Sequence, residues 1–395
     1  MPLFSLRPAA TLWPPVLLGS QFVFNIGFYA VVPFLALFLR DDMLLSGGLI
    51  GLILGLRTFS QQGMFILGGT LADRYGAKAI ILAGCVVRVA GFLLLACGAS
   101  LWPIILGAAL LARAGTHSQA NGKRSRAEWF ALFAVCGELG AVIGPVAGGV
   151  LSGIGFRHIA LAGAGIFLLA LAVLFFCLPA DGHTTTTRRR VPWWTPLRQP
   201  RFVAFILAYS SWLLSYNQLY LALPVEIQRS GGREQDLAPL FMLASLLIIT
   251  LQLPLARFAR RMGAVRILPV GFLLLSASFA SVALFAAAPP AEGWLRLMPA
   301  AGFVTLLTLG QMLLVPAAKD LIPLFAEEST LGAHYGALAT AGGCAVLAGN
   351  LLLGHLLDQA LIPSPQAVYP WLLLALFPLC SAVALRAICR PLAAT

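Results

Sequence analysis

The chain has 395 residues, 60% hydrophobic and only 10% charged, with a mean hydropathy of +0.91 and a formal net charge of +12. Soluble domains carry about 25% charged residues, so this composition excludes a soluble globular protein and points to a polytopic membrane protein. The basic excess does not indicate nucleic acid, because it gathers in alternate loops between apolar runs.

Windows of about 20 apolar residues place spans at 14–39, 47–71, 79–99, 101–114, 129–153, 158–179, 202–225, 237–256, 266–288, 297–326, 331–356 and 367–388. The first is too long for a signal-peptide core and is kept as a span. It carries Asn25 and Tyr29. The second contains Arg57, Gln61 and Gln62 inside hydrocarbon-type sequence and leaves through a compact polar loop holding Asp73, Arg74, Gly76 and Lys78. Arg88 lies in the third.

The fourth supplies only about 14 apolar residues, roughly 21 Å of helix against a core of about 30 Å. Either it is broken and completed by 117–126, or a segment is absent; the second reading is preferred. The fifth span brings Glu138, then Gly140, Gly144, Pro145 and Gly148. Glycines every four residues share one face and let a neighbouring helix approach closely, while Pro145 removes a backbone donor and bends the helix.

Residues 180–201, with a threonine run, three consecutive arginines and three prolines, cannot form a core and read as a linker. The chain therefore divides into a bundle at 1–179, a linker at 180–201 and a second bundle at 202–395. Tyr209, Tyr216, Asn217 and Gln218 follow in the seventh span, with Glu226 at its outer end. Lys319 and Asp320 lie near the end of the tenth.

Lys and Arg set orientation. Seventeen fall in one set of loops and five in the other, so both termini are read as cytoplasmic and the span count as even. The halves also repeat. Span 2 leaves through ADRYGAK and span 8 through ARRMGAVR; span 5 ends in Gly148-Gly149 and span 11 in Gly354-His355. Parallel six-helix repeats belong to one transporter architecture. The step from Asp73 to Trp129 is about 19 residues shorter than that from Arg260 to Tyr335, a deficit that falls on span 4.

The loop Gly69-x-Leu71-Ala72-Asp73-Arg74-x-Gly76-x-Lys78 resembles the loop 2–3 motif of the major facilitator superfamily. Gly140-Ala-Val-Ile-Gly144-Pro145-Val-Ala-Gly148-Gly149 resembles the helix 5 motif of its proton-coupled exporters. The run around Arg57, Gln61 and Gln62, with Arg88, is similar to the MdtH-like multidrug-efflux subgroup. Arg113 is not assigned the arginine role that many exporters have in helix 4. The resemblance implies an all-α membrane protein of 12 transmembrane helices in two six-helix bundles. It implies that Asp73 faces the start of helix 11, around 330–332, and locks the halves on the cytoplasmic side.

Charges at a helix centre cost on the order of 3 kcal/mol each, so Arg57, Arg88, Glu138, Lys319 and Asp320 each need a partner or a wet cavity. Glu138 is the leading proton carrier, with a salt bridge to Arg57 or Arg88 as the structural alternative. Arg57 favours an anionic substrate, such as a siderophore or acidic metabolite, over a lipophilic cation. Gln61, Gln62, Arg88, Tyr29, Asn25 and Asn217 complete the candidate substrate and proton pathway. Asp73, Arg74, Gly76, Lys78, Gly140, Gly144, Pro145, Gly148, Lys319 and Asp320 form the candidate gates.

No GxxxxGK phosphate loop is present, the five histidines lack metal-ligand spacing, and the seven cysteines mostly sit in apolar runs. No enzyme activity, cofactor or metal is therefore expected. The expected protein is a monomer in a bacterial inner membrane that exports a small organic solute against protons by alternating access. The alternatives are a metabolite or sugar importer, a lipid-handling transporter and a non-transporting membrane scaffold.

Overall fold

The computed structural model describes residues 13–63, 77–97, 126–177, 194–326 and 330–390. Apolar runs that must satisfy every backbone group internally can only coil, and no strand occurs among the described residues. The helices are α1 (Trp13–Asp41), α2 (Gly47–Gly63), α3 (Ala77–Cys97), α4 (Arg126–Ser152), α5 (Phe156–Cys177), α6 (Pro200–Tyr209), α7 (Ser211–Arg229), α8 (Leu237–Met262), α9 (Ala264–Ala286), α10 (Met298–Leu321), α11 (Leu331–Leu357) and α12 (Val368–Cys389). Eight segments are long and apolar enough to cross a membrane among the described residues. The short fourth span and the Asp73–Gly76 turn lie outside them.

The seventh span departs from expectation. It starts earlier, at Pro200, and is divided at Ser210, whose hydroxyl donates to the Leu207 carbonyl at 2.7 Å. A serine bonded back to its own helix competes with the backbone ladder. The turn after α8 falls on the glycine of ARRMGAVR: Gly263 has φ +80°, a conformation that glycine adopts without strain.

In the first half α1 packs on α4 and α5, and α3 on α5; in the second, α9 lies between α10 and α12, α8 packs on α10 and α7 on α11. Two seams join the halves, α2 along α11 and α4 along α8. Outside, Leu169, Phe176, Leu253, Leu284 and Val383 are exposed, as a lipid-facing surface requires.

Glycines make close helix approaches at two places that bear on the site. Gly140 and Gly144 lie so near α1 that a Cβ on them would stand 2.6 Å from the Phe22 carbonyl and 2.7 Å from Tyr29 Cβ, and one on Gly148 would strike the Ala30 carbonyl. The expected glycine face is thus a packing face, and α4 continues through Pro145. The second approach was not anticipated. Gly47, Gly51 and Gly55 of α2 face Gly354, Asn350 and Leu347 of α11. The four-residue spacing in GGLIGLILG carried that signal.

Candidate functional site at the seam between the halves

Arg57 lies ten residues into α2, about 15 Å from its start at 1.5 Å per residue, which is mid-depth. It is 1% exposed and packed at the seam. Its guanidinium lies over the rings of Phe28 (5.5 Å) and Tyr220 (5.0 Å). Nη2 donates to Thr58 Oγ1 at 3.0 Å. Nε and Nη1 reach no acceptor among the described residues, and no described acid forms an ion pair with Arg57.

A chain of amides runs from this point into the second half. Asn217 Nδ2 donates to the same Thr58 Oγ1 at 2.8 Å, Asn350 Nδ2 to Asn217 Oδ1 at 3.2 Å, and Gln218 Nε2 to Asn350 Oδ1 at 3.1 Å. All are buried. Their mutual hydrogen bonding offsets much of the penalty of burying amides, with Gln218 Oε1 left unmet among the described residues, and ties α2, α7 and α11 together. A hydroxyl chain lies beside it: Tyr29 to Tyr216 at 3.2 Å and Tyr216 to Tyr220 at 3.4 Å.

The structure brings Arg57, Tyr29 and Asn217 together, and adds Thr58, Asn350, Tyr220 and Phe28. Asn350 was legible as a lone amide in an apolar span, whereas the aromatic shell was not. Gln61, one helical turn from Arg57, and Gln62 are half-buried at the lower end of α2, where Gln62 faces Gly343 of α11. Other candidates fall elsewhere. Asn25 donates to the Gln21 carbonyl and faces the glycines of α4. Arg88 stacks over Phe167 at 5.0 Å, inside the first half. Lys78 Nζ stands over Phe175 at 5.8 Å.

Glu138 is half-buried on α4, and neither Arg57 nor Arg88 pairs with it among the described residues. Lys319 and Asp320 are exposed at the end of α10, and the ion pairs among the described residues do not join them. Lys319 instead offers its carbonyl to Tyr335. Asp73, Arg74 and Gly76 lie outside the described residues.

One end of the seam is closed by polar contacts between the halves. Asp358 accepts the Gly47 amide and lies 3.4 Å from Arg40, and Gln228 donates to Asp41 at 2.8 Å. This is the end carrying the α1–α2, α7–α8 and α11–α12 connections, here called distal.

Two helical halves joined along paired seams, with a buried cation at mid-depth, define a polytopic membrane transporter. The chain belongs to the Major Facilitator Superfamily, whose sequence pattern matches residues 17–350. An uncharacterized MFS-type transporter of Mycobacterium tuberculosis is 35% identical over 87% of this chain and 86% of its own length. The multidrug resistance protein MdtH of Photorhabdus laumondii is 28% identical over 94% and 92%; that of Aeromonas hydrophila is 29% identical over 88% of each. Among solved structures, the nucleoside transporter NupG superposes with a TM-score of 0.78 at 13% identity, covering 95% of this chain and 99% of that one. A POT peptide transporter superposes at 0.74 and 17% identity, covering 96% and 94%.

Proposed function

We propose that this transporter exports a small organic anion in exchange for protons, by alternating access between its two bundles. The observation that carries the reading is Arg57: a fully buried cation, at mid-depth on the seam, with two nitrogens, Nε and Nη1, unmet and no acid beside it among the described residues. Such a group costs on the order of 3 kcal/mol on insertion scales, and binding sites in two-repeat transporters lie at this depth. A drug-like or carboxylate compound, of the siderophore kind, fits the charge.

The names of the MdtH relatives support efflux, as does the helix 5 glycine-proline pattern. Glu138 is the proposed proton carrier, being a half-buried acid on α4 two residues before Gly140, where the close-packed glycines begin. Asp73, with Arg74, Gly76 and Lys78, is the proposed latch on the side of the termini, which the lysine and arginine distribution assigns to the cytoplasm. In that frame the described state is closed toward the outside.

The test is uptake of radiolabelled anions into inverted membrane vesicles from cells expressing the protein. An imposed inside-acid gradient is expected to drive accumulation, and Arg57→Ala to abolish it at equal expression. Accumulation driven only in right-side-out vesicles would make the protein an importer. Full activity of Arg57→Ala would remove Arg57 from the site.

A further inference from the structure

We infer that the molecule received by Arg57 is an aryl carboxylate, its ring laid along the aromatic row of Tyr220, Tyr216 and Trp212 on α7. This rests on the anionic reading of Arg57 and adds the shape of the group that carries the charge.

The protein contains its own control for the carboxylate. Arg229 is also buried, at 5% exposure. Glu226 meets its Nε and Nη2 with two oxygens at 2.7 Å each, and the carbonyls of Phe285 and Ala288 take Nη1. Arg57 is buried more deeply and receives a single hydroxyl, on Nη2. What Arg57 lacks is what Glu226 supplies to Arg229: a planar acceptor with two oxygens and a negative charge. Carboxylate fits the guanidinium fork in that geometry, whereas a cation or a neutral hydrocarbon leaves the N–H groups unmet.

The aromatic part follows from the walls. The Arg57 guanidinium lies over the Phe28 and Tyr220 rings, so an acceptor reaching its edge arrives beside aromatic surface. From Tyr220 the row continues at one-turn spacing, with ring centroids 6.1 Å to Tyr216 and 5.7 Å from there to Trp212. Burial falls along the row. Tyr220 is 2% exposed, while Tyr216 and Trp212 remain half-open in a helix whose other residues at this level are buried. A core stripe closes on itself, as at Tyr209, which is buried and stacked on Phe205 at 5.9 Å. Beyond Tyr209, which Trp212 meets at 6.2 Å, Trp212 and Tyr216 therefore offer ring faces that lead to Tyr220, itself covered by Phe241 and the buried charge. Offset or edge-on aromatic pairs gain stabilisation beyond the area they bury, a gain that needs a π-system on both partners.

The full-length protein, purified in detergent, is titrated with 2-naphthoate, with its saturated counterpart decahydro-2-naphthoate, and with neutral 2-naphthamide. The expected result is binding of 2-naphthoate at least tenfold tighter than the saturated acid, with the amide weaker than either. Trp212→Leu and Tyr216→Leu are expected to bring the ratio of the two acids toward one while the saturated acid still binds. Trp212→Phe, which keeps a ring in place should leucine impair folding, is expected to retain the preference. Arg57→Gln is expected to abolish binding of both acids. Equal affinity for the two acids, or a ratio untouched by Trp212→Leu, overturns the aryl inference and leaves the anion reading standing. An amide that binds as tightly as the acid, or no binding by any acid, overturns both.

Discussion

Asp358, just beyond the distal end of α11, holds the backbone amide of Gly47 between its two carboxylate oxygens, at 3.1 and 2.9 Å. That amide opens α2, so the carboxylate sits at the positive end of a helix dipole, an arrangement worth about 0.3–1 kcal/mol. Arg40 stands 3.4 Å away in a partly exposed pair that adds little. The contact inverts the one proposed for Asp73, in which an acid at the exit of α2 would face the start of α11. Weak, reversible ties at opposite ends suit halves that must part at one end at a time. Asp358→Ala is expected to loosen the distal end. Spin labels on Leu44→Cys and Ile362→Cys, both exposed there, should report a distance distribution shifted outward in the variant. An unchanged distribution would show that Asp358 does not hold the seam.

At Gly51 the α2 and α11 backbones nearly touch, since a Cβ there falls against the Asn350 carbonyl, which is backbone and cannot swing aside. Gly51→Ala should cost about 1–3 kcal/mol through overpacking, read as a lower Tm of the purified protein. Gly165→Ala, with nothing within 4 Å of the added carbon, is the matched control and should melt as the parent does.

Two of the buried arginines, Arg57 and Arg229, should answer in opposite senses. Glu226→Gln leaves Arg229 with a neutral partner in a buried setting, and breaking such pairs typically costs about 3–5 kcal/mol. A marked drop in Tm is expected. Arg57→Leu removes a charge that has no acid beside it among the described residues, so Tm should hold or rise while anion transport disappears. A destabilised Arg57→Leu protein would point to a structural partner rather than a ligand.

Glu138→Gln tests the proposed proton step. Energised, gradient-driven accumulation should fall at least tenfold, while exchange of labelled for unlabelled substrate at equal pH on both sides continues. Loss of exchange as well would make Glu138 part of the substrate path or of the packing of α4.

Much of the fold was legible because membrane insertion writes it into composition. Long apolar runs, basic residues in alternate loops and a Gly-Ala turn each follow from local physics, and the turn at Gly263 takes the positive φ that glycine allows. The glycine face on α4 was legible for the same reason: four-residue spacing is a property of one helix. Glu138, Arg88, Lys319 and Asp320 show the limit. They were marked by being costly in hydrocarbon, yet cost alone does not say which partner resolves it. Arg88 met the Phe167 ring, and Lys319 and Asp320 came to lie exposed at a helix end.

The sequence by itself determined that this is a helical membrane transporter with an arginine where hydrocarbon should be, since burial cost and loop charge depend on residue type and order. Only the tertiary structure decided what surrounds that arginine. Phe28 comes from α1, Tyr220 and Asn217 from α7, and Asn350 from α11, helices far apart in the chain that meet because glycines on α2 and α11 let two backbones touch. The unmet charge of Arg57 is a property of that meeting, and no single stretch of the chain contains it.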